Sequence, residues 1–178
     1  MRESPDLDPW ARVRPCRIPA HAATVGPPTR DGLKPVAFRY EAPRTLGDAL
    51  EALRTHDGDA SVLAGGQSLL PLLNLRVVRP AVVVDVNHLP GLDGISAPDG
   101  TLELGMLVRA GALEASDALS GPYAVLRAAL RHVGHPQIRN RTTVGGSIAH
   151  ADPASELPLV LTAFDGEIEL VSAAGRRV

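Results

Sequence analysis

Apolar positions along this chain change their period several times, and each change predicts an element. Val36, Phe38 and Tyr40 alternate with other residues as in a half-exposed strand. Pro43 ends that run, because proline cannot donate to a strand ladder. Thr45 then predicts a helix N-cap, with Asp48 three positions on as a weak capping box, and Leu46, Ala49, Leu50 and Leu53 mark one helix face. Ala60 to Ala64 reads as a short apolar strand running into Gly65-Gly66-Gln67-Ser68, after which Leu69 to Leu75 forms a brief helix. Val82-Val83-Val84 is a buried-type strand ending at Asp85, whose place at a strand end predicts bonds to turn amides.

Pro90-Gly91 and Pro98-Asp99-Gly100 are turn signals around Gly94 to Ala97, and Leu102 and Leu104 alternate with Glu103 as the next strand. Ala110 to Ala115 predicts a short helix. Pro122 suits the first turn of a longer one, whose Leu126, Ala129, Leu130 and Val133 recur at helical spacing until Gly134 stops it. His135 to Ser147 reads mostly as loop, Glu156 to Ala163 as helix and Glu167 to Val171 as strand. Gly175-Arg176-Arg177-Val178 reads as the start of a hairpin's second strand. The expected fold class is α+β with several short strands.

Composition narrows the functional classes. The chain has 178 residues, 44% hydrophobic and 21% charged, which suits an ordinary globular protein of one domain or two small ones. A net charge of -2 without a long basic run argues against nucleic acid or an anionic membrane as partner and leaves a small molecule as the better ligand class. Cys16 is the single cysteine, so this chain can build neither a disulfide nor an iron-sulfur cluster by itself. No apolar run approaches the ~18 residues of a membrane span and the N-terminus lacks a secretory pattern, so the expected location is the cytoplasm. Residues 1–35 hold seven of the sixteen prolines and little apolar periodicity, which predicts a disordered extension ahead of a folded domain over 36–178.

The chemistry is to be sought in two glycine motifs, Ala64-Gly65-Gly66-Gln67-Ser68 and Thr143-Val144-Gly145-Gly146-Ser147. Small glycine-rich turns let successive backbone N–H groups converge on phosphate oxygens, and two of them suit the two sides of a diphosphate. The sequence has no Gly-x-Gly-x-x-Gly after a strand and no Gly-x-x-x-x-Gly-Lys-Ser/Thr, so neither a Rossmann site nor a P-loop is expected. His132, His135, His150 and Asp152 lack metal-ligand spacing, and Ser68 and Ser147 lack a nucleophile elbow and a base. Neither a metal site nor a catalytic side chain is therefore expected. Arg139 and Arg141 flank Asn140 before the second motif, where positive charge would favour a diphosphate or would line a solvated turn.

Val62-Leu63-Ala64-Gly65-Gly66-Gln67-Ser68-Leu69-Leu70-Pro71, Ile138-Arg139-Asn140 and Thr143-Val144-Gly145-Gly146-Ser147-Ile148-Ala149-His150-Ala151-Asp152-Pro153-Ala154-Ser155-Glu156-Leu157-Pro158 together resemble the FAD loops of molybdenum-hydroxylase flavoprotein subunits, the family of carbon monoxide dehydrogenase and xanthine dehydrogenase. A fainter likeness runs from Phe38 to about Val178. The resemblance implies a vanillyl-alcohol-oxidase-type (PCMH-type) fold, in which two α+β subdomains hold FAD between them. On this chain the first would fall at about 36–90 and the second at about 91–178, the second incomplete.

By position, Val62, Leu63, Ala64, Gly65, Gly66, Gln67, Ser68 and Leu69 would line the first diphosphate loop. Thr143, Val144, Gly145, Gly146 and Ser147 would line the second, Glu156 would stand near the ribityl chain, and Val133 would lie near the cofactor. The implied protein is an electron-transfer subunit. It would receive electrons from a two-iron two-sulfur small subunit, downstream of a molybdopterin-binding large subunit, and pass them to an external acceptor. The alternative is a truncated, non-catalytic subunit or assembly partner with weak or no FAD binding. One departure stands out: where the family reads Gly-Ala and then a threonine two residues later, this chain has Gly105-Met106-Leu107-Val108, which loses a hydroxyl and gains bulk.

Overall fold

The structure, a computed structural model, describes residues 34–178. Cys16, Trp10 and all but the last two residues of the expected N-terminal extension lie outside the described residues. The first sheet has three parallel strands in the order β1-β3-β2: β1 (Arg39–Glu41), β2 (Ala60–Leu63) and β3 (Val82–Asp85). Tyr40 stands opposite Val83 on one side of the centre, and Ser61 stands opposite Val83 on the other. β3 is buried along its whole length, as a central parallel strand covered on both faces should be, and this explains its unbroken valine run. Pairing in β1 covers only three residues, fewer than the alternation from Val36 predicts.

Helix α1 (Leu46–Thr55) joins β1 to β2 and starts at the expected cap, where Thr45 Oγ1 accepts from the Asp48 N–H at 3.1 Å. Helix α2 (Leu69–Asn74) joins β2 to β3 directly after the first glycine motif. A two-stranded antiparallel hairpin follows, β4 (Ile95–Ser96) with β5 (Glu103–Leu104). Helix α3 (Ala110–Ala115) has the predicted bounds. The Pro122 helix is divided into a 3-10 turn over Gly121–Tyr123 and α4 (Ala124–Leu130), which stops short of Gly134.

The stretch read as loop contains two helices, α5 (Pro136–Arg139) and α6 (Val144–His150). The second motif is thus the first turns of a helix. The reason is a cap: Thr143, in an extended conformation, accepts at Oγ1 from the Gly146 N–H at 3.2 Å. A buried cap of this kind offsets the low helix propensity of adjacent glycines. Helix α7 (Glu156–Ala163) has the expected bounds, and β6 (Leu170–Ser172) pairs antiparallel with β7 (Gly175–Arg177), the hairpin foreshadowed by the C-terminal turn.

Two apolar clusters fill the interior. One gathers Ala49, Val86, Leu89 and Leu107 beneath the parallel sheet's helix α1. The other gathers Ala110, Leu113, Leu126, Leu130 and Leu157 from α3, α4 and α7 with Val108 and Leu119 from the segments on either side of α3. Leu107 and Val108 are consecutive yet belong to different clusters, so the extended segment entering α3 lies between them. Val108, where the family's threonine would fall, is 2% exposed among apolar neighbours, a place where a methyl packs and a hydroxyl would need a partner. Each fully buried leucine contributes about 1.5–3 kcal/mol to this core.

Candidate functional site

The chain leaves β2 at Leu63 and enters α2 at Leu69, so the first motif is the tight turn of a strand-loop-helix unit. Gly66 has φ +74, a left-handed conformation that glycine adopts without the strain other residues incur. Gly65 is buried for a different reason. A Cβ there would lie 2.4 Å from the Arg141 carbonyl oxygen and 3.0 Å from the Thr143 nitrogen, so glycine lets the two motifs approach each other backbone to backbone.

The second motif is held from the other side by the segment before α3. The Val144 N–H donates to the Val108 carbonyl and the Gly145 N–H to the Met106 carbonyl, each at 2.9 Å, while the Ala110 N–H donates to the Thr142 carbonyl at 2.9 Å. A Cβ at Gly145 would lie 2.9 Å from the Met106 Cα and carbonyl oxygen, so this glycine too serves close packing. A Cβ at Gly146 would come within 3.8 Å of the Ala64 Cβ, which puts the two motifs side by side.

The two motifs differ in their backbone donors. In the second motif the N–H groups of Val144, Gly145, Gly146 and Ser147 all have protein acceptors. In the first, the N–H groups of Gly66, Gln67 and Ser68 have no protein acceptor among the described residues, while the Gly66 carbonyl starts α2 by accepting from Leu70. Open backbone donors in a small-residue turn fit a phosphate, so the residues present fit the diphosphate of FAD.

The remaining expected residues fall at varied distances from this junction. Val62 is exposed on β2, and Leu63 is half-buried, its carbonyl accepting from the Val86 N–H. Gln67 Nε2 donates to the Gly65 carbonyl at 3.3 Å, bracing the turn. Ser68 is exposed and opens α2, with Leu69 half-buried as its first residue. Ser147 and Ser155 share a hydroxyl hydrogen bond of 2.9 Å, which ties α6 to the start of α7 and brings Glu156, the first residue of α7, beside the second motif. Val133 is half-buried and packs on the same cluster as Val144 and Ile148.

Arg139 does not stand free for an anion: Glu114 pairs with it at 2.8 Å, and it also donates to the Gly134 carbonyl at 2.9 Å. Arg141 and His150 are exposed. No group of three or more His, Cys, Asp or Glu among the described residues is arranged to hold a metal ion, and no described helix is long and apolar enough to cross a membrane.

Behind the motifs runs a polar network that the sequence disclosed only in part. Asp85, buried at the end of β3, accepts from the Tyr40 hydroxyl at 2.5 Å through Oδ2 and from the Asn87 N–H at 2.9 Å through Oδ1. The turn-amide bond is the one its strand-end position predicts. Burial disfavours its charge, but the bonds from Tyr40 and Asn87 and the nearby His88 outweigh that and hold the carboxyl below its ordinary value. Asn87 and Arg109 extend the network. No motif marks them, because their contacts join residues 22 to 32 apart in sequence.

Known proteins show the family to which this chain belongs. The profile of the family described as "FAD binding domain in molybdopterin dehydrogenase" matches residues 36–178. Among curated relatives, the 6-hydroxypseudooxynicotine dehydrogenase complex subunit alpha of Paenarthrobacter nicotinovorans is 45% identical over 145 residues, 82% of this chain and 49% of that one. Among similar solved structures, two examples each have a TM-score of 0.77. One is carbon monoxide dehydrogenase of Hydrogenophaga pseudoflava, 36% identical and covering 80% of this chain and 50% of that one. The other is quinoline 2-oxidoreductase of Pseudomonas putida 86, 38% identical over 81% of this chain and 50% of that one.

The chain therefore belongs to the FAD-binding domains of the molybdopterin dehydrogenases, with the PCMH-type α+β fold. It spans about half the length of the curated relatives it matches.

Proposed function

We propose that this chain forms part of the FAD-binding, electron-transferring subunit of a molybdenum hydroxylase, and that the junction of its two glycine motifs holds the cofactor's diphosphate. The observation that carries the reading is the run of open N–H groups over Gly66, Gln67 and Ser68, set against a second glycine motif whose own donors are already engaged. Gly66 provides the left-handed turn that aims those donors. Thr143, Val144, Gly145, Gly146 and Ser147 form the opposite wall, with Val62 and Leu69 at the ends of the first loop. Glu156 takes the ribityl side and Val133 the apolar surroundings.

FAD, when bound, supplies the two-electron chemistry, while the chain's residues bind it, orient it and limit water at the diphosphate. Relatives bear names such as "Nicotine 6-hydroxylase medium subunit", which supports a multi-subunit setting. In this reading a molybdopterin-binding large subunit oxidises substrate, a two-iron two-sulfur small subunit relays the electrons, and an external acceptor takes them from the flavin. The single cysteine of this chain agrees with the clusters residing on a partner. The same reading places the complex in the cytoplasm.

The test is to purify the chain, precipitate it with acid and chromatograph the supernatant. Release of intact FAD supports the reading. FMN alone, flavin retained in the pellet, or no flavin uptake on titration with FAD overturns it.

A further inference from the structure

Two side chains outside both glycine motifs tie them together. Asn87 Nδ2 donates to the Ala64 carbonyl at 2.9 Å and to Asp85 Oδ1 at 2.6 Å, and its Oδ1 accepts from Arg109 Nη2 at 2.5 Å. Arg109 Nη1 then donates to the Arg141 carbonyl at 2.6 Å. Ala64 opens the first motif and Arg141 lies two residues before Thr143, so the path from Ala64 through Asn87 and Arg109 to Arg141 bridges both motifs.

We propose that Asn87 and Arg109 are positioning residues for the diphosphate site: together they fix the spacing and mutual orientation of the two glycine motifs. The inference rests on the FAD reading given above and assigns to the site two residues that belong to neither glycine motif.

Several features support it. Both amide donors of Asn87 are used and its oxygen takes a charge-assisted bond, so its orientation is determined from three directions. Asp85 holds both the side chain and the backbone N–H of Asn87, and Tyr40 of β1 holds Asp85, so the clamp is anchored in the parallel sheet. Arg109 precedes α3 and pairs with Thr143 across an antiparallel bridge, which anchors the other end. Arg109 forms no ion pair among the described residues; both groups that it grips are neutral oxygens at fixed positions, as a geometric tie requires. The Arg141 carbonyl that it grips is the same atom that a Cβ at Gly65 would strike. The clamp therefore acts at the point of closest approach.

The experiment uses the full chain and the variants Asn87→Ala, Arg109→Met and the double variant. Hydrogen exchange is measured without ligand, and FAD affinity by titration. Either single change should speed amide exchange in residues 64–68 and in residues 141–147 together, with little change elsewhere. Each should weaken FAD binding by about tenfold or more, since each removes at least one charge-assisted bond of the bridge. The double variant should be little worse than either single one, because both cut the same bridge.

Additive losses, or exchange that rises in one motif alone, overturn the clamp even if the wild-type chain binds FAD. Failure of the wild-type chain to bind FAD overturns the cofactor reading, and the exchange arm still judges the bridge. Arg109→Met leaves Asn87 and both apolar clusters intact, so it decides the matter should Asn87→Ala fail to fold.

Discussion

The two glycine motifs look alike in sequence and do different work in the molecule. Gly65-Gly66-Gln67-Ser68 turns the chain from a parallel strand into a helix and leaves its amides open. Val144-Gly145-Gly146-Ser147 is already helical, and its amides are bonded to Thr143, Val108 and Met106. The difference teaches that a glycine pair states only that a Cβ is unwelcome. What excludes the Cβ can be a ligand, a left-handed turn or another stretch of backbone. At Gly65 and Gly145 it is backbone.

The largest expected effect falls where the two motifs meet. Gly65→Val should prevent a stable fold, since its Cβ would sit 2.4 Å from the Arg141 carbonyl oxygen and its two methyl groups would need still more room between the two backbones. Gly65→Ala should cost at least about 1–3 kcal/mol in urea denaturation. At Gly66 the nearest obstacles are the tips of Leu70 and Leu63, so Gly66→Ala should cost mainly the strain of its positive φ, about 1–2 kcal/mol. A Gly65→Ala variant as stable as wild type would mean that the motifs do not touch through that glycine.

Cofactor binding and stability part ways at Gly146 and Gln67. Gly146→Val should abolish FAD binding, because its side chain would displace the Thr143 cap and fill the space beside Ala64. Gln67→Ala removes only a brace of 3.3 Å on the Gly65 carbonyl and should weaken binding a few-fold at most. Equal FAD retention by the two folded variants would remove the second motif from the site.

Thr143→Ala sharpens the role of the cap. Its hydroxyl is the sole acceptor for the Gly146 N–H among the described residues, and the residue is 1% exposed, so the change should cost about 1 kcal/mol or somewhat more in thermal or urea unfolding. Restoration of stability by Thr143→Ser is expected, since serine keeps the oxygen. If alanine and serine destabilise equally, the methyl packing of Thr143 matters and the cap does not.

These contrasts also mark how far the sequence could be read. Thr45 with Asp48, Ala110 to Ala115 and Glu156 to Ala163 were legible because cap and period agree within a single element. Helix α6 was not, because Gly145 and Gly146 have the local propensity of a loop and only the buried Thr143 cap and the bonds to Val108 and Met106 decide otherwise. Both glycine motifs were visible as candidates, and their adjacency was not, since it depends on packing between residues nearly eighty positions apart. Asp85 was legible as a turn acceptor. Asn87 and Arg109 were invisible for the same reason as the adjacency: the partners are remote, and neither residue type is rare near a turn.

The smallest expected effects come from the anchor behind the motifs, and they have opposite signs in acid and alkali. Asp85 has its carboxyl held below the ordinary value of 3.8, so its contribution to stability is present above that value and is lost as pH falls through the lower folded-state value. Tyr40 is the reverse case. Its hydrogen bond to Asp85, with burial and the carboxylate's charge adding, raises the phenol above its ordinary 10.0, so its contribution is present below that value and is lost as pH rises through the higher one. The stability difference between wild type and Asp85→Asn should therefore be flat through neutral pH and narrow only in strong acid. That between wild type and Tyr40→Phe should narrow in strong alkali, and also in strong acid once Asp85, the partner of its hydroxyl, is protonated. Urea midpoints across the pH range measure both. Tyr40 is 53% exposed, so its variant should lose little, within about 1 kcal/mol. Should the Asp85→Asn difference widen as the solution is acidified, Asp85 is not held as a carboxylate by Tyr40 and Asn87, and the sheet-side anchor of the bridge between the two motifs is misassigned.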